Sequence, residues 1–348
     1  MSPTRRALIA VLVLLCLAAL AAGVLYRRLH RPLADVSGGQ APHILSVVPP
    51  DAPVIVYVDV AAIRRMQHSL LSAVWELADP GSQSDRDYAE FVRATGFDYT
   101  RDLDKAAIAL WLGGLEMPPR ALGENHVLAV ADGHFDEHRI EAYALRSGKV
   151  ATHGTQTFYE VPGEPPVSLR FLSPSRIALS SGKNAEALLT ESSQTVRDPV
   201  TQARIDRVAG APVFGIARMD HLPNSFYASF ANMPQLEKLT RSIRSLSLAG
   251  QPDGDRFKVT LDAECDSMKS ALQISTLLDG FRIFGSLALS DPRTRRQMTK
   301  EQAAFLGALI NQVKVSPQNH WVRLSLDITP EMLGASSPAP SRHPPTPR

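Results

Sequence analysis

The chain has 348 residues, of which 44 % are hydrophobic and 21 % charged, a composition typical of a globular protein with a sizeable core. Its 37 basic and 35 acidic residues leave a net charge of +2, which gives no electrostatic reason to expect a nucleic-acid partner, and we predict none. The two cysteines, Cys16 and Cys265, exclude a disulfide or a thiolate metal cage within the soluble part, and no cofactor is predicted.

The first element is the uncharged apolar run Ala7–Tyr26. As a helix it would rise by about 1.5 Å per residue, which is long enough to cross a hydrocarbon core of about 30 Å. We therefore predict a single-pass transmembrane helix, an uncleaved signal anchor, with the lipid bilayer as partner. A cleaved signal peptide is the alternative, because Ala19-Leu20-Ala21 offers a small-x-small site.

Arginines flank this run on both sides and nearly balance under the positive-inside rule: Arg5, Arg6, Arg27, Arg28 and Arg31. We predict that the soluble part faces the periplasm or the cell exterior, as in many single-pass bacterial proteins with a short N-terminal tail. A cytoplasmic domain on an anchor of the opposite orientation is the alternative.

Composition divides the rest of the chain. We predict an anchor with its flanks, a Gly/Pro-rich linker, a first α+β half, a second α+β half and a disordered Pro-rich tail over residues 1–31, 32–50, 51–209, 210–334 and 335–348.

Hydrophobic periodicity predicts the elements of both halves. In the first half, strands are expected over 54–58, 106–111, 127–131, 150–161, 167–172 and 177–180. Helices are expected over 61–77, from 84 to 95 with Gly96 closing it, and over 135–145, 184–189 and 200–208. In the second half, strands are expected from 211, over 244–249 and 256–263 as a hairpin, and over 313–315 and 321–328. Helices are expected from 267 to about 280 and over 299–311.

The predicted fold class is α+β: an N-terminal transmembrane helix followed by a layered α/β-sandwich-like region of two duplicated split-βαβ halves. The duplication is suggested by a similar order of elements and by Ala211-Pro212-Val213-Phe214, which echoes Ala52-Pro53-Val54-Ile55.

Two further segments carry a resemblance. The sequence PPDAPV at residues 49–54 leads into a hydrophobic strand, and FDYTRDL follows at residues 97–103. Together with the anchored N-terminus, this organisation resembles a group of uncharacterised bacterial membrane-anchored envelope proteins of unknown function. The resemblance implies an envelope location but no activity, and it assigns no functional residue.

One motif has catalytic potential. His134, Glu137 and His138 fit H-x-x-E-H, in which two imidazoles on one helix face would hold zinc and the glutamate would activate a bound water. Gly133 places His134 at the start of the helix, however, where an exposed polar first turn is the competing interpretation. The three residues are metal-ligand candidates only, and we predict no catalytic, cofactor or metal site.

Two charged clusters have simpler interpretations. Asp98, Asp102 and Asp104 lack calcium-loop spacing and are expected in cap and turn roles. A basic cluster follows in the second half, where a solvated loop is the first interpretation and contact with anionic lipid headgroups the functional one: Arg293, Arg295, Arg296 and Lys300.

The sequence thus predicts a membrane-anchored, non-enzymatic envelope protein that acts by binding or assembly. Its partner would be an unidentified protein or small molecule. The alternative is a zinc-dependent hydrolase using His134, Glu137 and His138.

Overall fold

The structure is a computed structural model that describes residues 41–65, 90–111, 126–153, 156–161, 166–181, 189, 197–222, 224–228, 234–253, 256–291 and 300–329. The predicted anchor Ala7–Tyr26, the tail 335–348 and most of the helices predicted over 61–77 and 184–189 lie outside these ranges. Within the described ranges, no helix combines the length and apolar character needed to cross a membrane.

The described strands form one twelve-stranded antiparallel sheet. In chain order they are β1 (Val54–Asp59), β2 (Leu103–Trp111), β3 (His126–Gly133), β4 (Lys149–His153), β5 (Gln156–Val161), β6 (Val167–Ser173), β7 (Arg176–Ser181), β8 (Val213–Arg218), β9 (Ile243–Asp253), β10 (Arg256–Cys265), β11 (Lys314–Gln318) and β12 (Trp321–Ile328). Their order across the sheet is β11-β12-β10-β9-β8-β1-β2-β3-β7-β6-β5-β4.

Helices connect some of these strands. They are α1 (Val60–Arg65), α2 (Tyr99–Asp102), α3 (Glu137–Ser147), α4 (Pro199–Val208), α5 (Asn224–Ala228), α6 (Pro234–Arg241), α7 (Met268–Ser290) and α8 (Lys300–Gln312). Two 3₁₀ turns are η1 (His43–Val47) and η2 (Met219–His221).

The predicted fold class is wrong. A split βαβ unit contains parallel strands, whereas the strand pairs that the structure describes are all antiparallel. The two predicted halves also do not form a sandwich of layers. They contribute to one sheet and meet where β1 pairs with β8, with Val54 opposite Ala217 and Val58 opposite Val213.

The order of elements misled the prediction because helices inserted between antiparallel hairpins produce the same alternation of strand and helix as βαβ units. The two similar segments found in the sequence lie at the β1–β8 junction. There the Asp59 amide donates to the Pro212 carbonyl at 2.7 Å, and the Arg218 amide donates to the Pro53 carbonyl at 2.7 Å.

One face of the central sheet is covered by η1 and α4. Ile55, Ala109 and Ile216 are aligned across three neighbouring strands and are almost completely buried beneath these elements. Ile44 and Leu45 of η1 join this core, so the packed structure includes part of the segment predicted as a linker.

The α4 helix starts with strong local signals. The Asp198 side chain accepts a hydrogen bond from the Thr201 amide at 2.9 Å, and Pro199 occupies the first turn.

The opposite face carries α3 near one edge of the sheet and α7 near the other. Strand register places Leu179 in line with Val56, and Ala263 in line with Val54, both on the face opposite Ile55. Ile140 and Ala144 of α3 pack around Leu179. The helix of interest for function is α7, which packs around Ala263.

Candidate functional site: the exposed end of helix α7

Helix α7 begins at a well-capped N-terminus on the sheet. The Ser267 hydroxyl accepts a hydrogen bond from the Ser270 amide at 3.2 Å. In the following turns Ala271 and Ile274 are buried against β10 and β12, where they meet Ala263, Cys265 and Val322. The first half of α7 is therefore an ordinary amphipathic helix that closes a core cluster.

The second half of α7 leaves large apolar side chains in water. Phe281 is 56 % exposed, Ile283 56 %, Phe284 68 % and Leu287 62 %. We call these four residues the apolar tip. Complete burial of one such side chain stabilises a protein by about 1.5–3 kcal/mol. Covering the apolar tip would therefore be strongly favourable.

A partner helix covers one side of this segment. At Gly285, an added Cβ would lie 2.9 Å from Ile310 Cδ1 of α8, which shows how closely the two helices approach there. An added Cβ at Gly280 would meet no atom within 4 Å. Contact with α8 thus occupies the Gly285 side of the helix, and the apolar tip remains exposed.

The tip carries little charge. Between Gly280 and Ser290 the sequence contains a single charged residue, Arg282, whose Nε lies 3.5 Å from Asp279 Oδ1. Six of the ten large hydrophobic residues exposed in the described part of the chain belong to α7. Clustered apolar exposure of this kind marks interaction surfaces, whereas single exposed apolar residues are normal on any protein.

The residues of the H-x-x-E-H pattern do not share a helix face. Helix α3 begins at Glu137 with Asp136 as N-cap, so His134 precedes the helix and His138 lies in its first turn. His138 is completely exposed, and the His134 imidazole lies 3.8 Å from Asp104 Oδ2. No group of three metal-ligating side chains occurs among the residues that the structure describes, and no observation there favours zinc hydrolysis.

The predicted cap and turn roles are confirmed for Asp98 and Asp102 but not for Asp104, which lies in strand β2. Asp98 is the N-cap of α2 and accepts from the Thr100 amide at 2.8 Å. Asp102 accepts from the Asp98 amide at 2.9 Å, and its hydrogen bonds from Arg101 hold the pKa of its carboxyl below the usual value. Asp104 lies 3.7 Å from the Arg64 guanidinium.

A polar groove of about 360 Å³ lies between α3 and strands β5 and β6. The Tyr159 hydroxyl donates to Glu141 there, and burial together with this carboxylate raises the pKa of Tyr159 to about 12. Arg170 donates to the Leu189 carbonyl at 2.9 Å. Because these central polar groups already bind one another or the backbone, the groove presents no activated nucleophile.

The Cys265 thiol is also unsuited to catalysis. It is 1 % exposed, and burial raises its pKa to about 11. A thiol that stays protonated and inaccessible is a core residue and not a nucleophile.

Sequence reasoning missed the apolar tip because it ended the helix at about Gly280. The helix instead continues to Ser290. The available signal was the segment FRIFGSLAL at residues 281–289, which combines large apolar residues with one charge.

The described part of the chain is thus an antiparallel sheet protein with an exposed apolar helix end. No protein-family model matches it, and no curated protein matches it. The sequence resemblance to bacterial envelope proteins therefore stays a prediction.

Among solved structures, the chain is similar to TP0453 in several crystal forms. Crystal form III matches with a TM-score of 0.43 and 13 % identity over 84 % of this chain and 96 % of that chain. Crystal form IV matches with a TM-score of 0.44 and 14 % identity over 86 % and 98 %.

Proposed function

We propose that this protein is a membrane-anchored, non-enzymatic envelope protein that acts by binding or assembly. The run Ala7–Tyr26 holds it in the bilayer, and the apolar tip of α7 is its contact surface. The observation that carries this proposal is the clustering of Phe281, Ile283, Phe284 and Leu287 in water at the end of a helix whose beginning is well buried.

The contrast between buried and exposed apolar residues on the same helix supports the proposal. The same helix buries Ala271 completely and Ile274 almost completely, so its sequence is able to form a core. An uncovered apolar tip would promote aggregation. A binding partner that covers the tip would explain why these apolar residues are present.

A binding role also agrees with the surroundings of the polar side chains on and near α3. The Tyr159–Glu141 pair and Arg170 are engaged internally, and His138 projects into solvent. A location outside the cytoplasm follows the sequence prediction for the N-terminal segment and remains part of this proposal.

Site-specific photo-crosslinking in cells tests the contact surface. A benzoylphenylalanine replaces Phe284 in the full-length protein, and Val200, a helical residue that is 56 % exposed on α4, receives the same probe as a matched control. We expect adducts at position 284 that are absent at position 200. Equal, background-level labelling at both positions would contradict the binding role of the tip.

Membrane extraction tests the anchor separately. Wild-type protein should remain in the membrane fraction after alkaline carbonate washing. The double substitution Leu14→Arg and Leu15→Arg should release it, because each arginine at the centre of a spanning helix costs about 2.5–3.5 kcal/mol. Wild-type protein that is released by carbonate would remove the anchor from the proposal.

A further inference from the structure

We propose that the apolar tip inserts into the interfacial region of an anionic lipid bilayer. This inference rests on the proposed function, because it identifies lipid as the partner of the surface to which binding was assigned.

The chemistry of the tip fits acyl chains better than a protein surface. Phe281, Ile283, Phe284 and Leu287 carry no hydrogen-bonding groups, whereas hot spots of protein interfaces are enriched in Trp, Tyr and Arg. The neighbouring Arg282 lies close to Asp279. Phe and Leu on the exposed face of a helix are typical of segments that lie in the membrane interface.

The packing of α7 permits insertion of one face only. Ala271 and Ile274 hold the helix to the sheet, and α8 approaches closely at Gly285. The helix therefore presents its outer side to a membrane while its inner side stays on the protein. This is the geometry of an interfacial helix.

The predicted anchor brings the bilayer within reach. Residues 27–40 separate Tyr26 from the first described residue, and this segment spans up to about 45 Å when extended. The first described element is η1, which packs against β2 and β3. Strand β10, on which the first half of α7 packs, lies four strands from β2, a distance of about 19 Å across the sheet, and η1 and α7 lie on opposite faces.

Charge in the sequence favours anionic headgroups. The ten residues Asp291–Lys300 that follow α7 contain one acidic and four basic residues, the latter being Arg293, Arg295, Arg296 and Lys300. Residues 292–299 lie outside the described ranges, and in the sequence these basic residues directly follow the end of α7. Basic residues that follow a membrane-inserting apolar segment add attraction to anionic lipid.

Fluorescence quenching in proteoliposomes tests the inference on the full-length chain. In a Cys16→Ser background, Phe284→Cys or the matched control Val200→Cys is labelled with the polarity-sensitive dye NBD. The parent that retains only the buried Cys265 gives the background labelling. Vesicles contain phosphatidylcholine with or without phosphatidylglycerol, and quenchers are doxyl-labelled phospholipid or aqueous iodide.

We expect doxyl lipid to quench the dye at position 284 about twofold or more in vesicles with phosphatidylglycerol, and to leave position 200 nearly unchanged. Iodide should show the opposite preference. Iodide quenching at both positions without doxyl quenching would overturn the inference.

A second copy of the chain is the competing occupant. It would give blue-shifted emission at position 284 that rises with the protein-to-lipid ratio and is insensitive to doxyl lipid. That result would overturn insertion into lipid while leaving a binding role for the tip in place.

The charge requirement is tested with the triple substitution R293Q/R295Q/R296Q. It should lower doxyl quenching at position 284 in anionic vesicles towards the level seen in pure phosphatidylcholine. Equal doxyl quenching at position 284 in both lipid compositions, in the labelled variant that keeps all three arginines, would overturn the preference for anionic lipid.

Discussion

Helices α4 and α7 both pack on the sheet, but they differ in which of their side chains are exposed to solvent. On α4, Ile205 is fully buried, and even Arg204 is buried and bonded to Glu264. On α7, Phe284 is 68 % exposed although it is far more hydrophobic than arginine. Helix α4 has 10 residues, whereas α7 has 23, is about 34 Å long and packs on the sheet through its first half. The exposure of a side chain on these helices therefore depends on its position relative to the sheet and not on its hydrophobicity.

The largest expected effect contrasts one phenylalanine from each region. Phe214 is completely buried and its ring centroid lies 4.9 Å from that of Tyr57. Phe214→Ala should lower the free energy of unfolding by about 3–5 kcal/mol, because it leaves a cavity in the core. Phe284→Ala should change it by less than about 0.5 kcal/mol. Denaturant unfolding of both variants measures the difference, and similar losses of unfolding free energy would contradict the difference in burial between Phe214 and Phe284.

A second contrast concerns the ion pairs of the two helices. Arg204 Nε donates to Glu264 at 2.9 Å, the Ser245 hydroxyl donates to the same oxygen at 2.8 Å, and the pair is largely buried. Glu264→Gln should cost about 2–4 kcal/mol of unfolding free energy, because Arg204 would lose its counter-charge.

The matched control is the Arg282–Asp279 pair of α7, which is nearly half exposed. Asp279→Asn should cost less than about 0.5 kcal/mol. A loss at Glu264 no larger than the loss at Asp279 would show that the α4 contact contributes little.

The Glu264 contact also predicts a pH dependence. Burial alone would raise the pKa of Glu264, but the Ser245 hydroxyl and the Arg204 charge outweigh it and hold the pKa below its usual value of about 4.5. The resulting stability is present above the usual pKa and is lost as pH falls through the lower folded-state pKa. The stability difference between wild type and Glu264→Gln should therefore shrink on acidification below pH ~4.5. A difference that stays constant at acid pH would contradict this assignment.

The smallest effect concerns the two glycines in the exposed half of α7. Gly280→Ala should raise the free energy of unfolding by about 0.5–1 kcal/mol, because alanine is the better helix former and the added methyl meets open space. Gly285→Ala should gain less, since its methyl would push against Ile310 Cδ1. Thermal unfolding of the two variants compares them, and a larger gain at Gly285 would contradict the close approach of α8.

Local features of the fold could be predicted from the sequence, whereas its topology could not. The hairpin predicted over 244–249 and 256–263 is confirmed as β9 and β10. Residues 90–95 are helical, and Gly96 ends this helix with a φ of 75°. These features depend on neighbouring residues. The pairing of Val54 with Ala217 joins segments that are distant in the sequence. The order of strands and helices alone does not distinguish antiparallel from parallel pairing.

The candidate surface was missed for a related reason. Glycine ends a helix when its backbone turns to positive φ, and a glycine with ordinary helical geometry only weakens the helix. Gly280 continues α7, and the predicted end near this residue was wrong. Whether Phe281 and Phe284 are buried depends on what lies above the sheet, which hydrophobic periodicity does not encode.

The most direct test of the central claim is a nitroxide scan of residues 280–290 in the full-length protein reconstituted into anionic vesicles. Accessibility to oxygen, which concentrates in lipid, is compared with accessibility to a water-soluble nickel chelate by electron paramagnetic resonance. We expect oxygen accessibility to dominate at positions 281, 283, 284 and 287, while the labelled Val200 control favours the nickel complex. Preference for the nickel complex at all four tip positions would contradict it.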